Sequence, residues 1–208
     1  MEKDLLHLPA TVVAVSKNRT KEDIRRLYDQ GFRIFGENRV QELLTKVDLD
    51  LPIIWHMIGH LQTNKVKSVV TYCQMIHSVD SYDLLKVIDK EANKQDKIMN
   101  VLIQVNIAKE VTKYGITKDQ LPIIIQQANS LENICIMGIM VIGPHTEDTQ
   151  QIKEVFDEGK KLFDDLHKIQ QNNLKPTYLS MGMSNDYEIA IDCGSNMVRI
   201  GTLLFRTY

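Results

Sequence analysis

The chain has 208 residues, a formal net charge of −2 and 43% hydrophobic residues, enough to bury a sizeable core as one α/β domain spanning residues 1–208. The near-neutral charge leaves no basic footprint for nucleic acid or an anionic membrane, and there is no apolar run of about 18 residues and no signal-peptide core. Cys73, Cys135 and Cys193 are odd in number, widely spaced and set beside apolar residues. That pattern reads as reduced, inert thiols in a cytoplasmic protein.

Residues 1–10 allow only a short, frayed helix before Thr11–Val15, a run of β-branched and small apolar residues that stops at Ser16-Lys17. This is the pattern of a buried strand with a cation at its C-terminal end, where ligands bind in parallel α/β proteins. Against an apolar wall the ammonium form of Lys17 would be disfavoured, leaving a neutral amine able to form an imine with an aldehyde. The plain alternative is a lysine that leaves the strand for solvent. Thr20-Lys-Glu-Asp23 predicts a capping box, Ile24, Leu27 and Tyr28 an apolar helix face, and Gly31 the residue that ends that helix. Phe32–Phe35 is the second strand, ending in Gly36-Glu37-Asn38. A helix follows through Val40, Leu43, Leu44 and Val47, with Glu37 as an acid favourable to its dipole.

Ile53–Ile58 is the third strand, leading to Gly59-His60 and a basic helix over residues 62–72. Met75–His77 is the fourth, with Ser81 or Asp80 to cap the helix from Leu84. Val101–Asn106 is a buried strand with polar residues at its exit. Thr117-Lys-Asp-Gln120 is a second capping box, opening a helix that runs through Ser130. Ile134–Ile142 is the sixth strand, and Ile152, Val155, Phe156, Leu162, Phe163, Leu166 and Ile169 mark the longest amphipathic helix. Tyr178–Ser180, a helix over Asp186–Cys193 and the strand Met197–Ile200 complete the pattern. About eight βα units with short connections predict a single (β/α)8 TIM barrel.

A closed barrel brings the strand ends to one rim, where Lys17, Asn38, His60, Ser78, Asn106, Ser180, Ser184, Arg199 and Thr202 converge. Gly182 allows close backbone approach in Ser180-Met-Gly-Met-Ser184, and Ser184 can serve as both N-cap and hydroxyl donor. Arg199-Ile-Gly201-Thr202 adds backbone donors after the last strand. Phosphate sites in barrels recur at the loops after strands seven and eight, so these two segments are placed for an anion. Arg199 sits inside a strand, where it must be either salt-bridged for structure or aimed at a ligand. His56 and His60 lack a third clustered ligand, so no metal site is expected.

Ala14-Val-Ser-Lys17, Phe35-Gly-Glu-Asn38, Trp55-His-Met-Ile-Gly-His-Leu-Gln62, Ile76-His-Ser-Val-Asp80, Gln104-Val-Asn106, Ser180-Met-Gly-Met-Ser184 and Val198-Arg-Ile-Gly201 occur in this order. Over residues 11–205 the sequence resembles the pyridoxal-phosphate homeostasis proteins, single barrels similar to the N-terminal domain of alanine racemase. The resemblance implies pyridoxal 5′-phosphate (PLP) held by Lys17 as an internal aldimine, a phosphate held by Ser184, Gly201 and Thr202, and Arg199 facing the pyridine nitrogen. It further implies Asn38, His60 and Ser78 around the ring and its mouth. Two departures stand out: members usually carry a longer helix before the first strand, and Asn18-Arg19-Thr20 replaces the more usual Thr-Lys-Pro.

Three functions compete. One is a cytoplasmic, monomeric PLP carrier or buffer that hands the cofactor to apo-enzymes without robust turnover. The second is a PLP-dependent racemase, and the third a cofactor-free Schiff-base aldolase. An arginine at the pyridine nitrogen leaves that nitrogen largely unprotonated and a poorer electron sink. Racemisation by two bases also needs an acid–base group opposite Lys17, for which only Tyr114 or Tyr187 offers itself. The first function is therefore the expected one.

Overall fold

The computed structural model describes residues 5–108 and 114–207. Eight parallel strands close into a barrel in sequence order: β1 (Thr11–Val15), β2 (Ile34–Glu37), β3 (Ile54–Met57), β4 (Met75–Val79), β5 (Met99–Val105), β6 (Ile134–Val141), β7 (Leu174–Ser180) and β8 (Met197–Ile200). Closure is made by β1 against β8, with Thr11 paired to Met197 and Ala14 to Ile200. Helices α1 (Lys21–Asp29), α2 (Val40–Leu44), α3 (Val66–Tyr72), α4 (Tyr82–Lys94), α5 (Leu121–Ala128), α6 (Thr149–Leu166), α7 (Tyr187–Asp192) and α8 (Thr202–Thr207) follow the strands in turn. No described helix is long and apolar enough to cross a membrane.

The alternation of side chains along each strand builds two cores. Ala14, Val198 and Ile200 belong to the large layer that also holds Ile24, Leu27, Phe156 and other helix residues. Val13, Val15, Ile58, Met75, Leu102, Met140 and Met197 form a separate, smaller cluster filling the barrel interior. The first capping box is made as expected: Thr20 Oγ1 accepts from the Asp23 amide, and the Asp23 carboxylate accepts from the Thr20 amide. Gly31 follows at φ +112, a conformation that favours glycine. The second box, Thr117 with Gln120, opens a 3-10 turn that leads into α5.

Four expectations are corrected. β2 lies two residues later than predicted, so that Glu37 ends the strand rather than starting a helix. The basic segment after β3 is a 3-10 turn over Thr63–Lys65 and then the shorter α3. The helix after β2 spans only Val40–Leu44. β7 begins at Leu174, four residues earlier than predicted; Lys175 and Pro176, a charged residue and one without an N–H, argue against a strand but sit where the register with β6 shifts. All three cysteines are buried and free, and burial pushes the Cys73 thiol up to about 12 and that of Cys193 to about 11.

Candidate functional site

A cavity of about 740 Å³ opens at the C-terminal rim. Lys17 and Asn38 enter it from the exits of β1 and β2, and Met140 and Ile142 from the end of β6. Pro144, His145, Thr146 and Glu147 form one wall, and Met183, Ser184, Asn185 and Asp186 come from the loop after β7. Arg199, Gly201 and Thr202 enter from β8, the strand paired with β1 beside Lys17. Six of the eight residues that the resemblance places around the cofactor thus share one cavity. Lys17 is exposed, in a cavity whose lining also includes Val15, Ile58, Met140 and Ile142.

The anion cradle is built from two loops. Gly182 stands at φ +96, and a Cβ there would lie 2.6 Å from the Ala190 side chain, so the tight return from β7 to α7 requires glycine. Ser184 is not the N-cap of α7, a correction to the sequence reading: that place falls to Asp186, whose Oδ1 instead accepts from the Met183 amide at 2.6 Å. Ser184 Oγ reaches across to the other loop, accepting from the Gly201 amide at 3.3 Å and the Leu203 amide at 3.5 Å. Both bonds are long, and with the Ser184 hydroxyl they bring donors from two loops to one place. That donor set suits a phosphate.

Arg199 is 5% exposed and is not salt-bridged within the described residues. Its Nη1 donates to the Ser180 carbonyl and to Ser180 Oγ, each at 2.8 Å, and its Nη2 to the Val141 carbonyl at 2.9 Å. Burial lowers the guanidinium to about 10, a shift opposed by Asp186, so it remains a cation at neutral pH. Held by neutral acceptors at the cavity edge, it presents a fixed donor to a ligand.

Behind Arg199 runs a buried polar chain that sequence reasoning missed. Ser180 Oγ lies 3.2 Å from His77 Nδ1, and His77 Nε2 lies 3.0 Å from His56 Nδ1. One direction of donation satisfies the whole chain: arginine to serine, serine hydroxyl to His77, His77 to His56. Burial drives His56 down to about 4 and His77 well below its ordinary value, the latter helped by His56 and Arg199, so both rings are neutral. The signal was present, since His56, His77, Ser180 and Arg199 all sit at strand positions that alternate inward. Only strand pairing brings them into contact.

The other predicted residues lie elsewhere on the rim. His60 lines a second cavity of about 540 Å³ with Asn38, Arg39, Gln62 and Lys65. Its ring stacks on Tyr114 at 3.8 Å, and its Nδ1 is 3.2 Å from Asp80. Ser78 is fully buried and donates its hydroxyl to the Gly59 carbonyl at 2.6 Å. His56 therefore pairs with His77, not His60, and the described residues contain no cluster of three or more groups arranged for a metal. Glu37 is also reassigned, from a helix acid to a fully buried carboxylate 2.7 Å from Lys46.

The family model for the alanine racemase N-terminal domain matches residues 3–208. The pyridoxal phosphate homeostasis protein of Aquifex aeolicus is 40% identical over 198 residues, covering 94% of this chain and 86% of that one. The Helicobacter pylori protein of the same name is 40% identical over 204 residues, covering 96% and 89%. Among solved structures, PipY of Synechococcus elongatus with PLP bound superposes with a TM-score of 0.86 at 34% identity, over 95% of this chain and 93% of that one. Its PLP-free form gives 0.90 at 36% identity with the same coverage. The closed eight-stranded barrel and this similarity along nearly the whole length agree, and the chain belongs to the alanine racemase N-terminal domain family, among the pyridoxal phosphate homeostasis proteins.

Proposed function

We propose that this protein binds pyridoxal 5′-phosphate through an imine on Lys17 and acts in the homeostasis of that cofactor, as a carrier or buffer that passes it to apo-enzymes. The observation that carries the proposal is one cavity holding Lys17, a buried arginine and the Ser184–Gly201 cradle together. Ser184, with the Gly201 and Leu203 amides, is suited to hold the phosphate, and Thr202 stands beside them. Arg199 is suited to donate to the pyridine nitrogen, and Asn38 lines the same cavity from the exit of β2. The cofactor supplies an aldehyde that an amine can capture reversibly. The protein's own residues bind it, orient it and keep it from other amines.

The chemistry at Lys17 is balanced without further reagents. Lys17 would supply the amine nitrogen to the cofactor's aldehyde carbon, the condensation releasing one water that carries the aldehyde oxygen and both amine protons. The loaded protein is expected to be yellow, to bleach with borohydride and to carry the reduced adduct on the Lys17 peptide by mass spectrometry. Lys17→Ala should lose the visible band while its thermal midpoint stays close to that of the parent, because the residue is exposed and leaves the barrel core intact. An unchanged band in that variant would sink the assignment.

A buffering role without turnover is favoured over racemisation by where the tyrosines stand. Tyr114 stacks on His60, Tyr187 is 4% exposed, and neither lines the main cavity. Chiral analysis of alanine after long incubation with stoichiometric loaded protein should find negligible interconversion. Multiple turnovers abolished by Lys17→Ala would instead establish a racemase and direct attention to His145 and Glu147 on the facing wall.

A further inference from the structure

Both peptide units that flank Lys17 are tied to one buried ion network. Lys46, 4% exposed, donates from Nζ to the Ser16 carbonyl at 2.7 Å, to Glu37 Oε1 at 2.7 Å and to Glu42 Oε1 at 2.8 Å. Three ammonium protons thus meet three acceptors. The same Glu42 oxygen accepts from the Asn18 amide. Ser16 Oγ donates to Glu37 Oε1 at 2.6 Å, and the Ser16 amide donates to the Gly36 carbonyl at 3.0 Å. Asn18 sits at φ +56, so the turn is held in a left-handed conformation just past the lysine.

The carbonyl of the Ser16–Lys17 peptide is therefore gripped by an ammonium, and the N–H of the Lys17–Asn18 peptide by a carboxylate. The Lys17 Cα lies between two anchored planes, although its side chain is exposed. Burying Lys46 and Glu37 is poorly explained by stability alone, since an apolar pair of similar volume often does as well or better. Burial indeed pushes the Glu37 carboxyl upward, against the pull of Lys46 and Ser16.

We propose that Glu37, Glu42 and Lys46 are positioning residues for Lys17. They fix the Ser16–Asn18 turn so that the amine meets an aldehyde on the cavity side, and so set what fraction of bound cofactor is covalently attached. The inference rests on reading Lys17 as the imine-forming residue. None of the three lines the main cavity, so their effect passes through the backbone.

The test compares pyridoxal phosphate with pyridoxine 5′-phosphate, which has an alcohol in place of the aldehyde and forms no imine. Three variants are measured: Glu42→Gln, Lys46→Met, and the double variant Glu37→Gln/Lys46→Met, which removes both charges of the most buried pair and leaves the part-exposed Glu42 with the Asn18 amide. Affinity for pyridoxine phosphate should stay within about twofold of the parent, whereas pyridoxal phosphate should be held about tenfold more weakly. Amide exchange at Asn18 in the cofactor-free Glu42→Gln protein should accelerate about tenfold. If Lys46→Met fails to fold, the double variant decides. Parallel losses for both ligands, or full imine yield in a folded double variant, would overturn the positioning role alone. Absence of a borohydride-trapped adduct on Lys17 in the parent protein would overturn the function reading and this inference with it.

Discussion

The single residues of the site differ in how much they depend on their surroundings. Ser184 contributes a hydroxyl that joins two loops, at 3.3 Å and 3.5 Å from the Gly201 and Leu203 amides. Removing it should cost roughly 1.5–3 kcal/mol of binding to a phosphorylated ligand, about ten- to hundred-fold in affinity. Ser184→Ala should therefore weaken PLP much more than unphosphorylated pyridoxal, as read by equilibrium titration with each. Equal losses would place the phosphate elsewhere on the rim. Arg199 is the opposite case, since its guanidinium works only because Ser180 and the Val141 carbonyl satisfy it inside the barrel. Lys17, Asn38, Ser184, Gly201 and Thr202 were legible because each follows a strand in sequence. Ser78 sits near the end of β4 with its hydroxyl turned to the Gly59 carbonyl, an orientation that packing sets and its place in the sequence does not.

At the scale of elements, glycine positions decide how strands β6 and β7 meet. Gly138 stands at φ +134 where the register between these strands shifts, and a Cβ there would lie 2.0 Å from the Tyr178 carbonyl oxygen. The obstacle is backbone, so no rotamer change relieves it. Gly138→Ala should lower stability by at least about 2 kcal/mol, seen as a lower urea midpoint with the slope unchanged. Thr20→Ala is a useful comparison, because it removes the α1 capping bond from an exposed helix start and should cost only about 1 kcal/mol. Equal losses in the two variants would mean that β7 adapts around the irregularity. Helix starts were readable from local side-chain chemistry, and the longest helix from its stripe. The beginning of β7 was not, because Lys175 and Pro176 are tolerated there only through the bulged pairing with β6.

For the whole molecule, the histidines inside the barrel couple stability to pH. His56 is neutral in the fold, lowered by burial from 6.5 to about 4, and burial also lowers His77 well below its ordinary value. The unfolded chain takes up protons as pH falls through about 6.5, and the folded chain does not. Stability is thus fully present above that value and declines as pH falls toward about 4, by on the order of 3 kcal/mol from His56. Glu37 works in the opposite sense, since burial raises it above 4.5 and the folded state protonates first. The two histidines outweigh one carboxylate, so urea midpoints at pH 7.5, 6 and 5 should fall in that order. A flat profile would mean that the interior accommodates the charged rings.

The alternation of apolar strands with amphipathic helices determined the barrel, because eight parallel strands with short crossovers have no better way to bury both faces. Position at a strand exit singled out Lys17 and the two loops proposed to hold the phosphate, because closure brings every exit to one rim. Tertiary structure alone decided the partners of the buried polar groups. Glu37 and Lys46 are nine residues apart, His77 and Ser180 more than a hundred. Nothing local distinguishes a buried charge that will be paired from an exposed one. The desolvation that forces these groups together exists only once the barrel has closed around them.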